Sequence, residues 1–334
     1  MNPFETLIDQ RRSRRNFLAG AGASLGAAAI LSGCSDQGTI TPTPTPVPIP
    51  VPAAYNDVDI LNFALNLEYL EAEFYLRAAT GSGLSATNSG SSSGTVTGGA
   101  KITGLTSAQQ NILNEIAYDE QQHVLFLRSA LGSSAVSKPN IDLTASFNAL
   151  ANAAGIASTF NPFADFNSFL VGAFIFEDVG VTAYNGAAPL ISTAGITAGY
   201  LAAAAGILAV EAYHAAYIRT TLTANVVTLG TTAYPYFGYA NKVATLRGTL
   251  GGGNETPLVV PTGTTTATSV VSGSSIVSAD STNAIAFHRT TDQVLHIVYG
   301  TLSNTAGATA SAAGVKAGGF FPNGLNGNIT VTQS

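Results

Sequence analysis

Two of the four histidines in this chain follow a glutamate by three positions, in Asp119-Glu120-Gln121-Gln122-His123 and in Glu211-Ala212-Tyr213-His214. Residues three apart share one face of a helix, so each pair can reach a common point. Glu211 follows Leu208, Ala209 and Val210, and Glu177 lies amid Phe169, Leu170, Phe174, Ile175 and Phe176. Such surroundings predict burial, and an unpaired buried carboxylate costs several kcal/mol even after relaxation. Only 10% of the residues are charged, well under the usual quarter, and these stretches offer almost no Lys or Arg as partners. Two divalent cations would neutralise one glutamate from each of four helices. Bound metal therefore resolves the charge problem that the sequence creates.

Apolar periodicity predicts four long helices, at about Asp57–Ala79, Thr106–Leu131, Asn161-Pro162 to just before Pro189, and Thr197–Leu222. Asp57 is placed as the first N-cap and Gly81 as its terminator. Gly132 ends the second helix, and Asn161 before Pro162 opens the third. The Gly/Ser/Thr-rich stretch Gly81–Ala100 reads as a flexible insertion without a core. Residues 133–160 form a long link with a short helical pattern at Thr144–Ala154, whereas the link between the third and fourth helices is short. The expectation is an all-α four-helix bundle with a long middle crossover, spanning residues 55–225. Residues 226–334 read as a mixed, loop-rich C-terminal appendage. Within it Tyr234-Pro235-Tyr236 breaks the helix, Ala240–Leu250 and Thr291–Tyr299 favour short helices, and Thr256–Val277 is strand-prone.

The first fifty residues point to export. Ser13-Arg14-Arg15-Asn16-Phe17-Leu18 matches the twin-arginine signal, and the apolar run Ala19–Leu31 is well short of the roughly 20 residues of a membrane span. Leu31-Ser32-Gly33-Cys34 resembles the bacterial lipoprotein cleavage box. Residues 1–33 are therefore expected to be a signal peptide, with Cys34 acylated. Cys34 is the single cysteine, so its acylation excludes disulfides, iron–sulfur clusters and thiolate catalysis. Stable anchoring takes more than one acyl chain, and lipoprotein cysteines generally carry several. Thr41–Pro52 reads TPTPTPVPIPVP, an extended polyproline II tract, so residues 34–54 form a stiff tether. The expected location is the cell envelope, with a membrane as partner. Residues 1–33 carry four arginines against Glu5 and Asp9, a net of +2; since the whole chain stands at −6, the remainder carries −8. No basic patch is left for nucleic acid.

Glutamate from two helices with Glu-x-x-His from the other two is the arrangement of di-iron and di-manganese carboxylate bundles. The expected ligands are Glu68, Glu120, His123, Glu177, Glu211 and His214. On the first helix Glu71 lies nearer the middle of the apolar stripe of Ile60, Ala64, Leu67, Phe74 and Ala78. The two halves of such a bundle are pseudo-equivalent, however. Glu68 is followed seven positions later by Tyr75 and Glu177 by Tyr184, whereas Glu71 aligns with Gly180. That favours Glu68 as ligand and places Glu71 behind the ligands, orienting a histidine, with Tyr75 and Tyr184 beside them. Glu73 points about 140° from Glu68 and is expected in solvent, as is Glu115. His288 and His296 are read as structural.

Residues 57–225 resemble the ferritin-like superfamily, specifically the envelope ferritin-like group related to plant desiccation-related proteins. Asn66-Leu67-Glu68 with Tyr75 is similar to the first-helix iron-ligand motif of ferritins. Glu177-Asp178-Val179-Gly180-Val181-Thr182-Ala183-Tyr184, Asn185-Gly186-Ala187-Ala188-Pro189 and Glu211-Ala212-Tyr213-His214-Ala215-Ala216-Tyr217 resemble that group's third- and fourth-helix signatures. Phe287-His288-Arg289-Thr290 and Phe320-Phe321-Pro322-Asn323-Gly324 resemble its C-terminal region. The resemblance independently implies Glu68 as ligand, while the insertion and the lipid tether depart from closed storage cages. Carboxylate-rich ligation with one histidine per ion suits iron or manganese. Two such ions imply Fe(II) oxidation or peroxide removal by an oxidoreductase. The alternative implied is a non-catalytic stress- or desiccation-associated structural protein that retains the metal site.

Overall fold

Local chemistry sets the ends of each helix in the computed structural model, which describes residues 55–260, 276–280, 282–300 and 315–332. Helix α1 (Asp57–Thr80) starts at Asn56, whose side chain accepts from the Asp59 N–H while Asp59 returns the bond to the Asn56 N–H. This capping box satisfies two otherwise orphaned donors, so Asn56 and not Asp57 is the cap. Asp57 instead accepts from the backbone and hydroxyl of Ser192, tying the start of α1 to a distant loop. Gly81 ends the helix in a left-handed conformation at φ 88°. A second capping box, Thr106 with Gln109, opens α2 (Ser107–Leu131).

The long crossover carries α3 (Ala145–Ala153) and leads to α4 (Phe166–Ala187). The start of α4 falls later than Asn161-Pro162 suggests. Asp165 accepts from the Ser168 N–H and caps the helix, while Asn161 is used in a turn that binds the Phe163 N–H. After a single helical turn at Thr193–Ala198 comes α5 (Tyr200–Leu229), which runs well past Leu222. Two further helices, α6 (Tyr236–Leu250) and α7 (Thr291–Tyr299), follow in the C-terminal part. Helix α1 packs most extensively on α2, and α4 on α5; the two pairs meet through α1–α4 and α2–α5. The fold is an all-α bundle. Both α4 and α5 are long and apolar enough to cross a membrane, yet α4 is buried almost throughout and α5 turns Glu211, His214 and Arg219 inward.

One aromatic cluster knits the core. Phe74 of α1 stacks on Phe169 of α4 at 5.6 Å between centroids and meets Phe176 edge-on at 5.2 Å. Phe147 of α3 and Phe320 of the C-terminal turn close on the same group. Each such pair adds about 0.5–1.5 kcal/mol beyond area burial.

Three further features differ from the sequence expectation. The insertion is placed against the crossover: Val96–Thr97 pairs in parallel with Ile141–Asp142. Glu73 is 1% exposed rather than solvated. Its carboxylate accepts from Arg77 Nε and Lys138 Nζ, both at 2.8 Å, and from the Leu84 N–H at 3.2 Å. The insertion folds over the side of α1 that would otherwise face water, and removing Glu73 would strand the buried Lys138 ammonium, at about 3–5 kcal/mol. Finally, Thr256–Val260 is not a strand, and near the other end Ala279 makes only an isolated bridge to Ala286. Residues 261–275 lie outside the described residues, as do the signal and the whole tether with Cys34.

Three buried arginines fasten the C-terminal part to the bundle. Asp178 of α4 accepts from Arg219 at 2.8 Å and Arg247 at 2.9 Å. Glu255 accepts from Arg247 at 2.9 Å and Arg289 at 2.7 Å, and the Arg247 guanidinium lies 4.5 Å from the Phe174 ring centroid. Arg289 also donates to the Thr182 hydroxyl at 2.7 Å. Close approach here requires Gly186, because a Cβ at that position would stand 1.9 Å from the Arg289 carbonyl oxygen.

Candidate metal centre

All four bundle helices deliver carboxylates to one buried region. Glu68 comes from α1, Glu120 and His123 from α2, Glu177 from α4, and Glu211 and His214 from α5, all buried. Two groups form there. One ligand atom each from Glu68, Glu120, His123 and Glu211 lie within 4.8 Å of one another, and so do atoms of Glu120, Glu177 and His214. Glu120 belongs to both. His123 Nδ1 stands 3.2 Å from Glu68 Oε2, 3.4 Å from Glu120 Oε2 and 3.6 Å from Glu211 Oε1. His214 Nδ1 stands 2.9 Å from Glu120 Oε1 and 3.6 Å from Glu177 Oε2.

These approaches are close but lack hydrogen-bond alignment. Glu68 Oε2, Glu177 Oε2, both oxygens of Glu120 and of Glu211, and both histidine Nδ1 atoms are buried without a hydrogen-bond partner. Buried polar atoms normally find partners, and so many orphans converging in one place suit a cation held between them. Two ligands at about 2.1 Å from a common ion, at right angles, stand about 3 Å apart, which matches the spacing here. The donor set fits a metal centre.

The surrounding residues hold the ligands in a crosswise pattern. Tyr75 of α1 donates to Glu177 Oε1 of α4, and Tyr184 of α4 donates to Glu68 Oε1 of α1. Each tyrosine occupies one carboxylate oxygen and leaves the other for an ion. Asp119 Oδ2 lies 3.2 Å from His214 Nε2, a carboxylate behind a histidine whose other nitrogen faces the site. Sequence reasoning assigned Asp119 no role, although its place just before Glu120 was a usable signal. The counterpart before Glu211 is Val210, so the two halves differ here. Glu71 is buried close by but lies outside both groups, and among the described residues it accepts no hydrogen bond from a histidine. His288 is exposed and His296 is buried on α7; neither joins these groups.

Without a cation the site shares protons. Burial raises the Glu68 carboxyl to about 7, with His123 holding it back. Burial also raises Glu177, Glu71 and Glu211, the last two strongly and with help from neighbouring carboxylates. For Glu120 burial is outweighed by the two facing histidines, and its carboxyl falls to about 2. Burial opposes charge on the histidines, yet Glu68 and Glu120 lift His123 to about 11, and Glu177 and Glu120 lift His214 to about 12. The site thus favours positive charge at the two points that the orphaned oxygens face.

Fold, helix order and donor set together define a ferritin-like protein. A family model of the ferritin-like domain matches residues 56–224, which contain all six residues, and the chain belongs to that family. It is 30% identical over 284 residues to the ferritin-like catalase Nec2 of Nesocodon mauritianus, covering 82% of this chain and 84% of that protein. It is 32% identical over 251 residues to the desiccation-related protein PCC13-62 of Craterostigma plantagineum, covering 72% of this chain and 76% of that protein.

Proposed function

We propose that this chain is a lipid-anchored protein of the cell envelope whose six ligands hold two iron or manganese ions for redox chemistry on Fe(II) or peroxide. The observation that carries this reading is the pair of donor groups sharing Glu120, with their orphaned oxygens and nitrogens. When bound, such a pair of ions supplies electrons to, or takes them from, oxygen or peroxide. The chain's own residues do the rest. Tyr75 and Tyr184 fix the carboxylates of Glu177 and Glu68, Asp119 orients His214, and Phe74 and Phe169 pack edge-on against the Tyr75 ring and hold it in place. Similarity to a protein named as a catalase supports peroxide as the substrate.

Stopped-flow mixing of the metal-loaded protein with Fe(II), and separately with hydrogen peroxide, tests this reading. Peroxide consumption with release of dioxygen is expected. Full metal occupancy with neither reaction would favour the second reading, a non-catalytic stress-associated protein, to which the desiccation-related relative lends support. The anchor is tested independently, since intact-mass analysis of membrane-extracted protein should show a diacyl or triacyl addition on Cys34. A mature chain that begins elsewhere, unmodified, would remove the envelope anchor from the proposal.

A further inference from the structure

Where the insertion folds back on the crossover, the surface opens into a groove of ≈ 350 Å³, within the range of about 300–1,000 Å³ typical of small-ligand sites. The parallel pairing of Val96–Thr97 with Ile141–Asp142 builds two of its walls. The Leu143 N–H continues that ladder by donating to the Thr97 carbonyl at 2.8 Å. Gly99 and Ala100 therefore leave the pair beside Leu143 and Thr144, and all four line the groove. Asn148 of α3 and the turn at residues 159–163 complete it. None of the six metal ligands takes part.

Two amide groups are held in a fixed sense. Asn148 Oδ1 accepts from the Phe160 N–H at 2.8 Å, and Asn161 Oδ1 accepts from the Phe163 N–H at 3.0 Å. A backbone N–H can only donate, so each bond identifies the amide oxygen. Both NH2 groups are left as donors without a partner among the described residues. The Thr144 side chain makes no capping bond to α3, so its hydroxyl is also available. Beside these polar groups stand the half-buried Phe160 ring and the buried side chains of Leu143 and Phe163.

Chemistry selects the ligand. No charged side chain is among the described residues that line the groove, so a phosphate or carboxylate would lose hydration without gaining a counter-charge. An apolar guest would cover the amide and hydroxyl groups and leave them unsatisfied. A neutral ring with hydroxyls at its edge and C–H groups on its face avoids both costs. Its hydroxyls can exchange hydrogen bonds with Asn148, Asn161 and Thr144, and its C–H face suits an aromatic ring, whose face is electron-rich. We propose that this groove binds a neutral saccharide in its pyranose form. The proposal stands independently of the metal-centred function.

Calorimetric titration of the metal-loaded protein with cellobiose tests the site, because the equatorial hydroxyls of that sugar leave C–H groups on both ring faces. Saturable binding is expected. Phe160→Leu keeps an apolar side chain but removes the flat ring, and should weaken binding about tenfold, whereas Phe160→Tyr should restore it. Thr144→Val removes one hydroxyl at constant shape and should weaken binding several-fold, with melting temperature and metal content unchanged. Cellohexaose titrated alongside separates the sources of such a ligand: equal affinity marks a free sugar, and tighter binding marks a glycan chain that extends beyond the groove. Absence of binding to either sugar at millimolar concentrations would overturn the proposal. So would wild-type affinity in Thr144→Val together with Phe160→Leu, or in Thr144→Val alone should the other variant fail to fold.

Discussion

Removing the metal ions with a chelator will invert the pH dependence of this protein's stability. In the metal-free fold, burial lifts Glu68 from about 4.5 to about 7, so the folded state keeps a proton that the unfolded chain releases. Its stabilising contribution is complete below the unfolded value and is lost as pH rises through about 7. A shift of this size corresponds to about 3 kcal/mol. Glu177 and Glu211 act in the same sense. The histidines extend the trend, because their folded values of about 11 and 12 make their contribution decline as pH climbs above 6.5. Glu120 alone runs the other way: with a folded value of about 2, its contribution is present above the ordinary carboxylate range and lost in strong acid. Metal-free protein should therefore melt roughly 5–10 °C lower at pH 8 than at pH 5. Loaded protein should show the opposite slope, since metal binding requires deprotonated ligands. Calorimetry at four pH values, with and without chelator, measures both; parallel slopes would mean that these carboxylates do not hold a cation.

The second large effect concerns Glu120. It is the one residue common to both donor groups, so, on the two-ion reading proposed above, Glu120→Ala should empty both positions and leave less than one ion per chain. Glu68→Ala should lose one ion and Glu71→Ala should keep both, because Glu71 stands outside either group. Loss of a direct ligand should exceed the roughly 10–100-fold drop in affinity that follows loss of an outer partner. Elemental analysis and a metal titration of the three variants give the answer. A Glu120→Ala protein that retains both ions would locate the centre elsewhere.

The helices and the cluster were legible for one physical reason: carboxylates set in apolar helices have few ways to be buried. The Glu-x-x-His spacing and the seven-residue offsets to Tyr75 and Tyr184 survive in one sequence because helical geometry links spacing to direction. What stayed hidden depends on distant chain. Glu73 points away from the centre, as its helical angle predicts, but the insertion and Lys138 cover it from far along the sequence. The three arginines come from α5, α6 and the segment before α7, their partners lie on α4 and in residues 254–256, and no spacing within any one segment marks them. The start of α4 was misplaced because Asn161-Pro162 and Asp165 both carry capping chemistry, and only packing chooses between them. In the sequence Gly180 served only as the position aligned with Glu71, whereas in the structure its lack of a side chain makes room for the Glu211 carboxylate.

The distribution of the donors also fixes an order of events. One group draws on α1, α2 and α5, the other on α2, α4 and α5, so neither exists before the last bundle helix has docked. A nascent or partly folded chain therefore lacks a complete set of donors, and the first metal it meets as a finished site is the one present where folding ends. Copper, which the Irving–Williams order favours over iron and manganese at most sites, would then have to displace an ion already held if folding occurs in its absence. If export follows the twin-arginine route, which carries folded proteins, that moment falls in the cytoplasm, and the cytoplasmic metal supply decides what the envelope receives.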